Sequence, residues 1–241
     1  MRILTWNTWK NSPPYRARLA VLARAAAEVR PDIVLLQEAF IGGGQDTAAF
    51  LAEALGLRCL AAPARAKPRP QEDGSMADST NGLAILTRRE ASEHRVIALP
   101  PHPDDPDRIA QVARIDGMTV VNLHLTHLAD GDALRRNQVL HLLRHLDPEA
   151  PTVLGGDLNA GPGDPAPEAL DEAGFRDLAA DRPEPTVPGR RIDFLMTRAL
   201  PLAGVATRLV GALPIGGVAG SDHAGVLAVV EPGRESTVTV A

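Results

Sequence analysis

Along this 241-residue chain, polar residues able to bind a metal or a phosphate stand at the ends of short apolar runs. Asn7 follows Ile3-Leu4-Thr5-Trp6, and its amide can offer oxygen to a metal, nitrogen to a phosphate, or simply form a turn. Glu38 follows Ile33-Val34-Leu35-Leu36-Gln37. A carboxylate at the mouth of such a strand is costly unless it is paired or holds a cation. A hard ion such as Mg²⁺ takes one or two carboxylate oxygens and keeps several waters. His124 and His127 share the stretch Asn122-Leu123-His124-Leu125-Thr126-His127. His124 is either a donor to a phosphate oxygen or a satisfied structural histidine. The HxxH spacing raises zinc, but Asp130 does not complete a His/Asp cluster and oxygen ligands dominate elsewhere, so zinc is disfavoured.

Asp157 and Asn159 lie in Gly155-Gly156-Asp157-Leu158-Asn159. In extended chain they would face the same way, and the paired glycines would let a ligand approach the backbone. Asp193 interrupts an apolar strand, so its charge needs a partner. His223, in Ser221-Asp222-His223, would serve: an aspartate fixes the tautomer of a histidine and favours its protonated form.

These residues need a frame. Apolar spacing predicts a helix over Tyr15 to Val29, ended by Arg30-Pro31, then a strand buried on both faces up to Gln37. Asp46 is expected to cap a helix that stops at Gly56, and Asp132 one that runs to about Leu146. Strands are expected at Leu83–Leu86, Arg95–Leu99, Ile109–Ile115, Met118–Leu125, Thr152–Leu154, Arg191–Met196 and Gly225–Val230, with Asp116-Gly117 as a two-residue hairpin turn. Residues 63–80, rich in proline and charge, read as a mobile loop inside one domain spanning 1–241, and 232–241 as a frayed tail. No internal repeat stands out. The alternation of strands and helices predicts an α/β fold, a layered sandwich with mixed sheets.

Composition bounds the function. With hydrophobic residues at 44%, a globular core is within reach. The net charge of −5 argues against a protein that grips long DNA through phosphates alone, although a local basic groove survives such a total. Nearly all the positive charge is arginine; the only lysines are Lys10 and Lys67. Cys59, the single cysteine, excludes an internal disulfide and reads as a small buried hydrophobe. No signal peptide or membrane span is visible, and the expected location is the cytoplasm, with no obligate protein partner.

No single motif is specific, but their order is. The pieces TWN (5–7), LQE (36–38), NGLAIL (81–86), NLHL (122–125), GGDLNA (155–160), RIDFL (191–195) and SDH (221–223) resemble the endonuclease/exonuclease/phosphatase superfamily, which has the deoxyribonuclease I-like fold. Arg135 and Gln138 add smaller echoes. The resemblance implies a four-layer α/β sandwich with two central mixed β-sheets flanked by helices. It also implies hydrolysis of a phosphodiester or phosphomonoester, of a small molecule or a nucleic acid, with Mg²⁺ or Mn²⁺. Carried over, Glu38 resembles the main metal ligand, with Asn7 and Asp222 on the metal side. Asp157 resembles the residue that orients or deprotonates water, Asn159 its neighbour on the phosphate, and His223, held by Asp193, the phosphoryl-binding histidine. His124 resembles a further phosphate contact, and Arg108 and His127 are expected to touch substrate. Trp9 stands where abasic-site endonucleases of the superfamily carry an acid, which weighs against that role. The motif set also resembles that of 5′-tyrosyl-DNA phosphodiesterases. A non-catalytic binding module on the same fold would be free to lose Glu38, Asp157, Asn159, Asp193 or His223, yet all five are present.

Overall fold

Strands β1 (Arg2–Asn7) and β2 (Ile33–Ile41) sort their side chains by alternation. Leu4, Trp6, Val34 and Leu36 pack against helices α1 (Tyr15–Val29) and α2 (Thr47–Leu55). Ile3, Ile33 and Leu35 turn the other way and meet Val120, Val153 and Leu195 of a second sheet. A strand covered on both faces requires a continuous apolar run, which Ile33-Val34-Leu35-Leu36 supplies.

The computed structural model describes residues 1–42, 46–71 and 73–233. Its first sheet has the order β12-β13-β1-β2-β5-β3, with β12 at Leu202–Val210, β13 at Gly225–Pro232, β5 at Met76–Thr87 and β3 at Arg58–Ala62. Strand β4 (Lys67–Pro70) pairs with the outer part of β5. The second sheet runs β10-β11-β9-β8-β7-β6, from Arg176–Asp177 through Asp193–Arg198, Thr152–Asp157, Met118–His124 and Ile109–Ile115 to Ala91–Ala98. Helices α3 (Asp132–Leu143) and α4 (Pro165–Glu172) cover its outer face. The layers are therefore helix, sheet, sheet, helix, the expected four-layer sandwich. Each sheet contains one parallel pair, β1–β2 and β8–β9, among antiparallel ones.

Local signals account for the boundaries. Arg30 takes the left-handed conformation after α1, before Pro31; Asp46 accepts the Ala49 N–H and Gly56 closes α2. Asp116 and Gly117 both have positive φ, 48° and 78°, as the tight hairpin turn between β7 and β8 demands.

Four expectations need correction. Asp132 is the first residue of α3 and not its cap, because its carboxylate is taken by Arg135 Nη2 at 2.6 Å, and the helix stops at Leu143. The segment 63–80 is in part a hairpin, pairing Lys67 with Ser79 and Pro70 with Met76; its prolines are tolerated because β4 lies at an edge. Cys59 is exposed, since β3 is the edge strand of its sheet. The last strand extends to Pro232, and residues 234–241 of the expected frayed tail lie outside the described residues. Among the described residues no helix is long and apolar enough to cross a membrane.

Candidate active site

Strand register builds the centre. In β8, β9 and β11, His124 stands opposite Asp157, and Asp157 opposite Asp193. The three share the face of Val120, Val153 and Leu195, so they look across the interlayer at its open end. From the opposing sheet, the Asn7 amide donates to Asp157 Oδ2 at 3.0 Å, while its oxygen accepts the Trp9 N–H at 3.0 Å. The paired glycines upstream do not make room for a ligand. A side chain at Gly156 would strike the Leu123 carbonyl at 1.8 Å, and one at Gly155 would meet Leu35 and Leu195 at 2.6 and 2.7 Å. They serve close packing of strand on strand and sheet on sheet.

Asp157 is the hub. His124 Nε2 lies 3.4 Å from its Oδ2, and His223 Nε2 lies 3.9 Å away. Burial, then the neighbouring Asp193 carboxylate, raises the Asp157 carboxyl to about 7, against the pull of His223, the Asn159 N–H and Asn7. His223 Nδ1 sits 2.9 Å from Asp193 Oδ2. Burial disfavours a charged imidazole there, yet the Asp193 hydrogen bond and the charges of Asp193, Asp157 and Asp222 outweigh it and raise His223 to about 9. His124 goes the opposite way. Burial, then the positive charges of Arg108, His223 and Lys10, hold it neutral, well below the usual histidine range. Two histidines on one carboxylate oxygen thus carry different charges near neutral pH.

Glu38 does not follow β2 but sits inside it. The β2–β5 register shifts between Leu36 and Ala39, and Glu38 takes a positive φ of 50°, which turns its side chain out of the strand. Buried amides back this bulge: Gln37 Nε2 donates to Thr5 Oγ1 and to Asn122 Oδ1 at 3.0 and 2.7 Å, and Asn122 Nδ2 donates to the Leu36 and Ala84 carbonyls. Lys10 Nζ faces Glu38 Oε1 at 3.5 Å. Glu38, Lys10, His124, His127 and Arg108 line one cleft of about 380 Å³.

The remaining expected residues fall as follows. Asn159 is not extended beside Asp157: β9 ends at Asp157 and Asn159 has a φ of 50°. Its N–H donates to Asp157 Oδ1 at 2.9 Å and its amide nitrogen to the Leu125 carbonyl. Asp222 is exposed beside Ser221 and does not line the cleft. Arg108 is held by Asp105 at Nε, 2.7 Å, and by His127 Nδ1 at Nη2, 2.7 Å, so His127 and His124 serve different partners.

The sequence reading missed Gln37, Asn122 and, above all, Arg18. Buried on α1, Arg18 donates to the carbonyls of Thr8, Trp9, Lys10, Ser12 and Gly220 and lies over the Trp9 ring. It fixes the loop after Asn7 to the turn that precedes His223. The available signal was an arginine on the helix face of Tyr15, Leu19 and Leu22.

The donor chemistry suits a divalent cation in two places. Asp157, Asp193 and His223 offer ligand atoms within 4.8 Å of one another, and Asp193 Oδ1 is buried without a hydrogen-bond partner among the described residues. Glu38 presents a carboxylate, its side chain 17% exposed, that already draws an ammonium group.

Residues 4–223 match the model of the Endonuclease/Exonuclease/phosphatase family. No curated protein matches the chain in sequence. Among solved structures, the endonuclease/exonuclease/phosphatase from Beutenbergia cavernae DSM 12333 has a TM-score of 0.77 at 23% identity, over 97% of this chain and 72% of that one. The human Nocturnin catalytic domain with bound sulfate has a TM-score of 0.70 at 20% identity, over 96% and 93%. Truncated Caenorhabditis elegans TDP2 has 0.68 at 19%, over 95% and 96%. These likenesses establish the shared fold.

Proposed function

Because the chain belongs to the Endonuclease/Exonuclease/phosphatase family, we propose that it hydrolyses a phosphodiester or phosphomonoester by in-line attack of water on phosphorus, with a divalent metal ion. The observation that carries this reading is the Asp157 hub, where one buried carboxylate near a pKa of 7 adjoins a neutral histidine and a protonated one. Asp157 is suited to take a proton from water near neutral pH. The Asn7 amide and the Asn159 N–H hold its two oxygens and so aim it. His223, kept cationic by Asp193, is suited to bind a non-bridging oxygen or to protonate the leaving group. His124 and Arg108 supply further donors on the cleft wall.

Mg²⁺ or Mn²⁺ would neutralise charge developing on the phosphoryl oxygens. Glu38 is the proposed principal ligand, with Asn7 beside it; Asp222, exposed and off the cleft, is the weaker candidate. The trio of Asp157, Asp193 and His223 is the weaker choice, because an imidazole that Asp193 keeps protonated is a poor ligand. A cleft of about 380 Å³ suits a compact ester. The test compares small mono- and diesters, a 5′-tyrosyl oligonucleotide, single-stranded oligonucleotide and supercoiled plasmid at physiological salt. Turnover should need Mg²⁺ or Mn²⁺, vanish in chelator and nearly vanish in Glu38→Gln. Full activity in chelator would sink the metal-dependent reading. Plasmid nicking without turnover of any small ester would make the protein a nuclease.

A further inference from the structure

Besides Glu38 and His124, the cleft is lined by Arg65, Lys67, Arg69 and Arg108 among the acids Asp104, Asp105 and Asp107. Taking its chemistry from the phosphoesterase reading, we propose that the substrate carries a second anionic group, a phosphate or carboxylate, bound on the cleft wall by Arg65 and Lys67, with Arg108 between them and His124. The chain's net charge is −5 and it has only two lysines, yet both line this cleft. Lys10 stands beside Glu38, and Lys67 beside Asp107.

Asp107 is the local counter-ion. Its Oδ2 lies 3.4 Å from Arg65 Nε and 3.2 Å from Lys67 Nζ. Along this wall Arg65, Lys67, Arg69 and Arg108 face Asp104, Asp105 and Asp107, four cations to three acids, which leaves a surplus of one positive charge. The side chains of Arg65 and Lys67 are 65% and 44% exposed. Exposed cations of this kind are held weakly, so Arg65 and Lys67 can turn part of their donors to an incoming anion while keeping Asp107 Oδ2, which is buried, paired.

Arg108 is built differently. Its side chain is only 13% exposed, its Nε is fixed on Asp105, and its Nη2 on His127. Thr126 Oγ1 donates to the same Asp105 oxygen and holds that carboxylate in turn. Nη1 makes no hydrogen bond among the described residues, although the residue lines the cleft. A guanidinium locked in place with donors to spare meets an anion without further ordering cost. Fixed Arg108 and movable Arg65 and Lys67 together make a preformed anchor with a closing edge.

The experiment uses two phosphodiesters with the same scissile ester and leaving group, one bearing a distal phosphate or carboxylate, the other a hydroxyl in its place. With Mg²⁺ at low salt, kcat/KM for the charged ester should exceed that for the neutral one by about tenfold or more, and the preference should shrink as salt rises. The double variant Arg65→Ala/Lys67→Ala should cut the preference about tenfold, whereas Asp107→Asn should enlarge it, since it removes the competing carboxylate. Equal rates for the two esters, or a preference that ignores both changes, would overturn the proposal. Calorimetry of the same two esters with Asp157→Asn protein reads binding without turnover. If wild type hydrolyses neither ester while the charged one still binds more tightly through Arg65 and Lys67, the phosphoesterase reading fails and the anchor stands. If both are hydrolysed without preference, the anchor fails and the reading stands.

Discussion

Each sheet contains one strand–helix–strand unit with parallel strands, β1–α1–β2 in the first and β8–α3–β9 in the second, and the two units meet at the site. In each, the first strand ends on a polar site residue, Asn7 or His124, and the second carries an acid, Glu38 or Asp157. In each, the helix bears a buried arginine eleven residues after the first of these, Arg18 or Arg135. Both guanidiniums grip the loop that leaves the first strand. The grips are unequal. Arg18 spends its five N–H groups on five carbonyls. Arg135 reaches the Thr126 and Leu128 carbonyls and Asp132, its Nε has no partner among the described residues, and Gln138 supplements it by accepting the Thr126 N–H. The first loop contains two non-glycine residues of positive φ, Trp9 at 56° and Lys10 at 51°, and the second contains none. Such conformations persist only where surrounding contacts over-determine them, so the strained loop carries the complete clamp.

The two units converge at Asp157 and the His223–Asp193 pair, where substitution should cost most. Asp193→Asn should slow turnover by roughly 10² to 10⁴, the range for an oriented acid–base residue. Adding His223→Ala should cost little more, because the two act as a unit. The pH profile gives the sign. His223, raised to about 9, is charged at neutral pH, so dependent activity is full below that value and lost as pH rises through it. Asp157, raised to about 7, gains its negative charge as pH rises through that value, which sets the acid limb. In Asp193→Asn the alkaline limb should move down by about two units or more, since burial is then less opposed. An alkaline limb unmoved by that substitution would show that His223 is not the group titrating there.

The two arginine clamps should also differ in what they contribute to stability. Removing a charged donor while leaving buried carbonyls unsatisfied costs about 1–3 kcal/mol per group at most, with partial relief from water. Arg18→Ala should therefore destabilise by about 3–5 kcal/mol and Arg135→Ala by about 1–3 kcal/mol, measured by urea unfolding. Should Arg18→Ala remain folded, Lys10 and the turn at His223 lose their common tie and turnover falls as well. Equal losses for the two arginines would remove the distinction between the loops.

What the sequence disclosed follows the same division. Glu38 and Asp193 were legible because a charge at or within an apolar strand demands a partner, whereas Asp157 and His223 stood out only through the order of the motifs that carry them. Gln37, Asn122 and Arg18 were not, since an amide or guanidinium within an apolar pattern announces no chemistry until its acceptors are known. Helix α1 followed from periodicity, and the doubly buried β2 from its continuous apolar run. Helix α4 was hidden by Pro165 and Pro167, although both lie in its first turn, where proline is tolerated. Strand β12 is an edge strand, half exposed and interrupted by Gly204, so it has no clean alternation. The relation between the two units left no trace as a repeat because the shared features are strand direction, strand-end residues and one arginine, not a run of sequence.

The smallest expected effect lies on the second unit's outer edge, at His127. Arginine only donates, so His127 Nδ1 must accept from Arg108 Nη2, which leaves the ring's other nitrogen as the N–H. His127 is 61% exposed, whereas Asp105, which fixes the other edge of Arg108, is 13% exposed. Losing the exposed acceptor exchanges it for water and frees only one donor, while Asp105 still sets the direction of the guanidinium. His127→Ala should therefore raise KM by only about two- to fivefold with little change in kcat, the pattern of a lost binding contact and not of a lost transition-state one. Asp105→Ala should do more, because it leaves a largely buried guanidinium without its counter-charge and the Thr126 hydroxyl without its acceptor. Steady-state kinetics on one small ester with the two variants settles the order. A larger effect from His127 than from Asp105, or a fall in kcat with KM unmoved, would mean that His127 acts on the reacting group itself and not through Arg108.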